Sequence, residues 1–165
     1  MEDATVGNGH DTRFLAECVL PGGRIYGFDV QEAALESTRS RLREAGVADD
    51  LVDLLHAGHE EMETRVMGPV AAVMFNLGYL PGGDHALTTS PGPTIAALRA
   101  AIGLLKPGGL VSVVCYQGHD GGREEADAVR AWAAALPESG FRNEVIGRES
   151  PGSGPFLVLV WRMPG

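Results

Sequence analysis

The stretch Asp3-Ala4-Thr5-Val6-Gly7-Asn8-Gly9-His10-Asp11-Thr12 constrains this chain more than any other. It reads as the end of a buried strand, a glycine turn and the first turn of a helix. Gly7 and Gly9 allow backbone angles that a Cβ disfavours, and they let a ligand come close to the main chain. A helix that starts near His10 offers its unpaired N–H groups and positive dipole end to the same ligand. Asp29 follows twenty residues after Gly9, closing the apolar run Arg24-Ile25-Tyr26-Gly27-Phe28-Asp29. An acid at that distance, at a second strand end, is placed to accept hydrogen bonds from a ribose diol. The pattern specifies a nucleoside-binding βαβ unit.

Strand and helix signals alternate from there on. Phe14, Leu15, Cys18 and Val19 recur at helical spacing after His10, and Pro21-Gly22-Gly23 ends that helix. Gln31 to Ala45 reads as a second helix with Ala34, Leu35, Thr38 and Leu42 on one stripe and Gly46 at its C-terminal cap. Leu51 to His56 is a third strand, followed by the loop Ala57-Gly58-His59-Glu60. Val70 to Phe75 is nearly all apolar, as a central parallel strand covered on both faces must be. The breaker-rich loop Asn76-Leu77-Gly78-Tyr79-Leu80-Pro81-Gly82-Gly83-Asp84 follows it. A helix over Thr94–Leu105 is stopped by Lys106-Pro107-Gly108-Gly109, and a fifth strand runs from Leu110 to Tyr116. The loop Gln117-Gly118-His119-Asp120-Gly121-Gly122, a helix over Glu124–Leu136 and two strands at Arg142–Gly147 and Phe156–Arg162 complete the chain. The expected fold is a single α/β domain over residues 1–165, a doubly wound, mostly parallel, seven-stranded Rossmann-like sheet. All the unusual loops follow strands, so they converge on one edge of the sheet, where such folds bind ligands.

Composition removes several classes. With 44% hydrophobic and 21% charged residues and a mean hydropathy of zero, the chain is an ordinary globular domain. No apolar run approaches the ~20 residues of a membrane helix, and the first residues lack a secretory pattern. Cys18 and Cys115 have no metal-type spacing and read as buried free thiols, which suits a reducing cytoplasm. A net charge of −9 opposes long-range attraction to nucleic acid, so phosphate binding requires a local basic face. Arg39, Arg41 and Arg43, with Arg13 and Arg142, are the candidates, against the alternative of solvated helix surface.

Two ligand classes compete for the glycine turn. A dinucleotide fingerprint requires a third glycine where this chain has Thr12, and it has no use for Asp3. The order acid–x–x–x–Gly–x–Gly, with a ribose acid after the second strand, instead resembles motif I of class I S-adenosylmethionine (SAM) methyltransferases. The loops quoted together are more specific. Asp3–Thr12, Phe28-Asp29-Val30-Gln31, Gly58-His59-Glu60, Asn76–Asp84 and Tyr116–Gly122 resemble, in that order, the bacterial tRNA 5-aminomethyl-2-thiouridine methyltransferases. The likeness covers essentially the whole chain, and the Asn76–Asp84 block is its most distinctive part. It departs from the family at the start, where a helix and a fuller first strand precede motif I in related chains. Here Met1 stands two residues before Asp3, which leaves a stub of roughly five residues as strand one; either the domain tolerates the loss or the start codon is internal.

The resemblance implies SAM as cofactor, the anticodon loop of a tRNA as substrate, N-methylation of the aminomethyl group on a wobble uridine, a cytoplasmic location and a homodimer. It implies that Gly7, Asn8, Gly9 and Asp11 hold the methionine end of SAM, Asp29 and Gln31 the ribose, and His59 and Glu60 the adenine. It places Asn76 where an amide oxygen accepts from the substrate amine, Tyr79 where a base stacks, and His119, with Asp120, where a proton is removed or the amine positioned. Pro81, Gly82, Asp84 and Tyr116 complete the substrate-binding set, and no metal is implied. Two rival readings use the same residues: methylation of another RNA site or a small-molecule amine, and SAM binding without catalysis.

Overall fold

The computed structural model describes residues 1–19, 21–79, 88–147 and 154–165. The expected positions Pro81, Gly82 and Asp84 lie outside the described residues. The strands are β1 (Glu2–Asp3), β2 (Ile25–Asp29), β3 (Val52–His56), β4 (Val70–Asn76), β5 (Leu105–Cys115), β6 (Phe141–Ile146) and β7 (Phe156–Arg162). They form one sheet in the order β3-β2-β1-β4-β5-β7-β6. The first five strands are parallel, and β7 runs antiparallel between β5 and β6. The order reverses between β1 and β4, which makes the crevice beyond their carboxyl ends the expected ligand site.

The helices are α1 (His10–Cys18), α2 (Glu32–Glu44), α3 (Met62–Arg65), α4 (Pro91–Leu104) and α5 (Gly122–Ala134). Strand alternation shows how they divide. Asp3 bonds to Thr12 of α1, so its side of the sheet is the α1–α2 face. Glu2, one residue earlier, shares a face with Val73, which packs in one buried cluster with Leu98 of α4 and Val129 of α5. In α2 the buried residues are Ala34, Leu35, Thr38 and Leu42, the stripe that its spacing predicts. On the α1–α2 side, Met74, Val114, Leu157 and Leu159 are only half-buried. No helix among the described residues is long and apolar enough to cross a membrane.

Several expectations are corrected. Cys18 is exposed and only Cys115 is buried, with its thiol pushed up to about 12 by desolvation. On the expected apolar stripe of α1, Leu15 is buried but Phe14 is 54% exposed, and the helix buries Thr12 in addition. The first strand pairs over two residues only. The segment Lys106–Gly109 does not separate helix from strand. β5 begins at Leu105, pairs with Val70, and resumes its register at Ala72↔Leu110 across a bulge. A 3₁₀ turn at His59–Glu61 and the single-turn α3 occupy what reads as loop.

Candidate functional site

The glycine turn is held from three sides. Gly7 and Gly9 have φ of 53° and 77°, the left-handed region in which a side chain is strained. A Cβ on Gly9 would lie 2.6 Å from Thr38 Oγ1, so α2 closes directly onto the turn. Thr38 donates its hydroxyl to Gly7 O at 3.1 Å, and Arg41 Nε donates to Asn8 O at 2.6 Å. Beneath the turn, Asp3 is fully buried and accepts from Thr12 Oγ1 at 2.5 Å and from Thr5 N at 3.2 Å. Thr12 therefore does with a hydrogen bond what the third glycine of a dinucleotide fingerprint does by close packing. Burial raises the Asp3 carboxyl to about 6 despite those two bonds.

Asp29 ends β2 beside this turn. Its Oδ2 accepts from Gly7 N at 2.9 Å and its Oδ1 from Gln31 N at 2.8 Å. Each oxygen thus keeps a lone pair for a further donor, and the residue lines the cavity. His59 is buried, with Nδ1 3.2 Å from Ala4 O and its ring edge-on to Phe75 at 5.7 Å. Desolvation holds its pKa below the ordinary value and so favours the neutral ring. Its contacts fix the end of β1 as well as forming cavity wall. Glu60 is exposed at the rim.

The turn, Asp29, Gln31, His59 and Glu60 line one cavity of about 720 Å³, which continues past Asn76 to Tyr79, Tyr116 and His119. Asn76 ends β4, and its backbone N–H donates to Thr5 Oγ1 at 2.6 Å. Tyr79 stands edge-on to His119, with ring centroids 6.0 Å apart. His119 Nδ1 is 3.0 Å from Asp120 O. A carbonyl only accepts, so Nδ1 carries a proton, and in the neutral ring Nε2 has the lone pair. That Nε2 is buried without a hydrogen-bond partner among the described residues. Asp120, expected beside His119, contributes this carbonyl, and its side chain does not line the cavity.

Every described residue expected in the site lines this cavity except Gly9, whose Cα faces Thr38, and Asp120. Sequence reasoning missed Val30, His10 and the Thr88–Ser90 segment, which also line the cavity. Val30 stands between Asp29 and Gln31, so its place in the loop was a usable signal. Thr88–Ser90 carried no signal, because its place is set by bonds to Gly78, eleven residues away in sequence. Of the five arginines, four have polar partners among the described residues. Arg13 pairs with Glu17, Arg39 with Glu32 and Glu36, and Arg142 with Glu144, while Arg41 is bound to the turn.

A sheet with one antiparallel strand slotted between β5 and β6 is the class I methyltransferase variant of the doubly wound fold, and solved structures match it closely. A "putative rRNA-methylase" from Clostridium thermocellum superposes with a TM-score of 0.93 at 40% identity, over 98% of this chain and 87% of that one. A "putative methyltransferase" from Streptococcus mutans in complex with SAH gives 0.87 at 34% identity, over the same shares. Residues 25–159 match the family described as "Putative rRNA methylase", and the chain belongs to that family. The chloroplastic tRNA (mnm(5)s(2)U34)-methyltransferase of Arabidopsis thaliana is 44% identical over 146 residues, which cover 83% of this chain and 53% of that protein. The chain therefore spans about half the length of that curated relative.

Proposed function

We propose that this protein is a SAM-dependent N-methyltransferase whose substrate is the 5-aminomethyl group of a wobble uridine, plain or 2-thiolated, in the anticodon loop of a tRNA. The observation that supports this most is the position of Asn76. It lies in one continuous cavity between the nucleoside-binding turn and the free lone pair of His119.

The residues fit SAM. The glycine turn lets a ligand reach the backbone, Asp29 has spare acceptor capacity for a ribose diol, and Phe28 and Val30 offer apolar wall beside it. When bound, SAM supplies an electrophilic methyl group on a sulfonium, already a good leaving group. The protein's task is then alignment. The Asn76 side-chain oxygen accepts from the substrate amine and directs its lone pair. Tyr79 and Tyr116, both partly exposed, hold the base by stacking. His119 Nε2 accepts the proton that the amine loses on methylation. Wobble bases are unpaired at a loop tip and are splayed out at little cost, which suits a shallow cavity. The reading carries with it a cytoplasmic location and a homodimer, testable by cell fractionation and by light scattering.

Asp29→Ala should weaken SAM binding by about 1.5–3 kcal/mol, the scale of hydrogen bonds to a charged group. It also frees the Gly7 and Gln31 amides from their common acceptor. Unchanged affinity in calorimetry would remove the ribose role.

The substrate is tested with synthetic anticodon stem-loops. Methyl transfer is expected to a loop carrying aminomethyluridine and not to the same loop with plain uridine, which has no amine to methylate. Affinity is expected to fall with added salt. Comparable transfer to plain loops or to duplex RNA would reject the proposed specificity. Transfer to free amines alone would favour the small-molecule reading.

A further inference from the structure

Glu125, in the first turn of α5, is 2% exposed, yet no part of the scheme above uses it. Placing a carboxylate in a helix packed against apolar neighbours is costly unless its oxygens are satisfied. Both are. Oε1 accepts from Thr94 Oγ1 at 2.6 Å and Oε2 from Thr89 Oγ1 at 2.7 Å. These are short, charge-assisted distances, and the helix N-terminus favours negative charge there.

The Thr89 bond has a consequence at the cavity. A hydroxyl has one proton, and Thr89 commits it to Glu125, so its lone pairs are left for a donor. That donor is Gly78 N, at 2.8 Å. Thr89 N returns a bond to Gly78 O at 3.0 Å, and Tyr79 bridges to Thr88 alongside. Three successive amides are held here, Asn76 by Thr5 and Leu77 by Val114 O at 2.9 Å independently of Thr89, and Gly78 by Thr89 itself. Gly78 has φ of 138°, so the chain turns sharply between Asn76 and Tyr79 and has no intrinsic preference for this path. The other wall of the cavity hangs from the same helix. Glu125 N donates to Gly121 O at 3.0 Å, and Gly122 N to His119 O at 3.1 Å. A Cβ on Gly122 would lie 2.6 Å from Tyr116 O and 2.7 Å from His119 Nε2, so that loop is folded tightly onto the start of α5.

We infer that Glu125 and Thr89 are positioning residues for methyl transfer. The carboxylate fixes the rotamer of the Thr89 hydroxyl, the hydroxyl fixes the Gly78 amide, and α5 thereby sets the Asn76–Tyr79 segment at a constant distance from His119. The inference rests on the reading of Asn76 and His119 given above. It predicts that this bond chain affects turnover while leaving the SAM end of the cavity alone, because none of its members touches the glycine turn or Asp29.

The test compares two valine substitutions on one carboxylate. Thr89→Val removes the hydroxyl that reaches Gly78, and Thr94→Val removes the one that does not. Turnover of the aminomethyluridine stem-loop, its KM and SAM affinity are measured well below each variant's melting temperature. Thr89→Val is expected to lower kcat about 10- to 100-fold, the scale of a small misplacement of reacting groups, with SAM affinity unchanged. Thr89→Ser, which restores the hydroxyl, should recover most of kcat. Thr94→Val should lower the melting temperature comparably and change kcat by less than about threefold, below the tenfold that 1.36 kcal/mol of barrier represents. Equal kcat in Thr89→Val and the unmodified protein, or equal losses in both valine variants, would overturn the inference. If Thr89→Val does not fold, Glu125→Gln takes its place, with unchanged kcat as the overturning result. An unmodified protein that does not methylate the stem-loop rejects the proposed substrate instead, so the two failures are distinguishable.

Discussion

Asn76→Ala should lower turnover about 100-fold or more, within the range found for groups that orient or exchange protons with a reacting centre, while SAM affinity stays within about threefold. The asymmetry follows from how Asn76 is attached. Its backbone N–H is bound to Thr5 whatever the side chain, so alanine keeps the path of β4 and the wall of the nucleoside-binding half. What is lost is the amide oxygen proposed above to accept from the substrate amine. Asn76→Asp keeps an acceptor and should retain more activity than alanine. Single-turnover rates and calorimetry on the same preparation decide the matter. A parallel fall in rate and SAM affinity would make Asn76 a cofactor or loop residue.

The second large effect concerns stability. Glu2 lies in β1 with 0% exposure, and neither of its carboxyl oxygens has a hydrogen-bond partner among the described residues. Burial raises its pKa from 4.5 to about 8, against the pull of the neighbouring Met1 amino group. Between those values the unfolded chain releases a proton that the folded chain keeps. Stability therefore falls as pH rises through that window and levels off above it. Asp3 acts in the same direction, from its ordinary value up to about 6. His59 acts oppositely, because a ring kept neutral by burial loses stability as the pH drops below its ordinary value. Glu2→Val replaces the buried acid with a residue suited to a central strand. At pH 8 it should stabilise the protein by a few kcal/mol, or roughly 5–15 °C in melting temperature for a domain of this size. At pH 5 the gain should be much smaller. An equal shift at both pH values would show that Glu2 is not protonated in the folded state.

The glycine-turn half of the cavity was legible because its physics is local. Glycine turns, a helix start and an acid at a strand end are all set within one βαβ unit, and the structure joins them through the Asp29 to Gly7 bond. The sheet was legible for a similar reason, since apolar runs such as Val70–Phe75 have only one place in a doubly wound fold. The bond chain through Glu125 was not. In sequence Glu125 is one of several charges on α5, and its burial depends on Thr89 and Thr94, 36 and 31 residues away. Helix α3 was missed because four residues are too few for a period to show. The Lys106–Gly109 segment misled because proline and glycine mark breaks in general. Here the strand absorbs them in a bulge beside β4.

The central claim is that Asn76 presents a primary amine to a methyl donor seated over the glycine turn. Mass spectrometry of the nucleosides of tRNA incubated with this protein and SAM tests it most directly. One added methyl group is expected on aminomethyluridine or its 2-thio form, carried by the aminomethyl nitrogen in fragmentation, with Asn76→Ala forming little of this product. A methyl group found on the base ring, on the ribose or on a nucleoside without an aminomethyl group would contradict it.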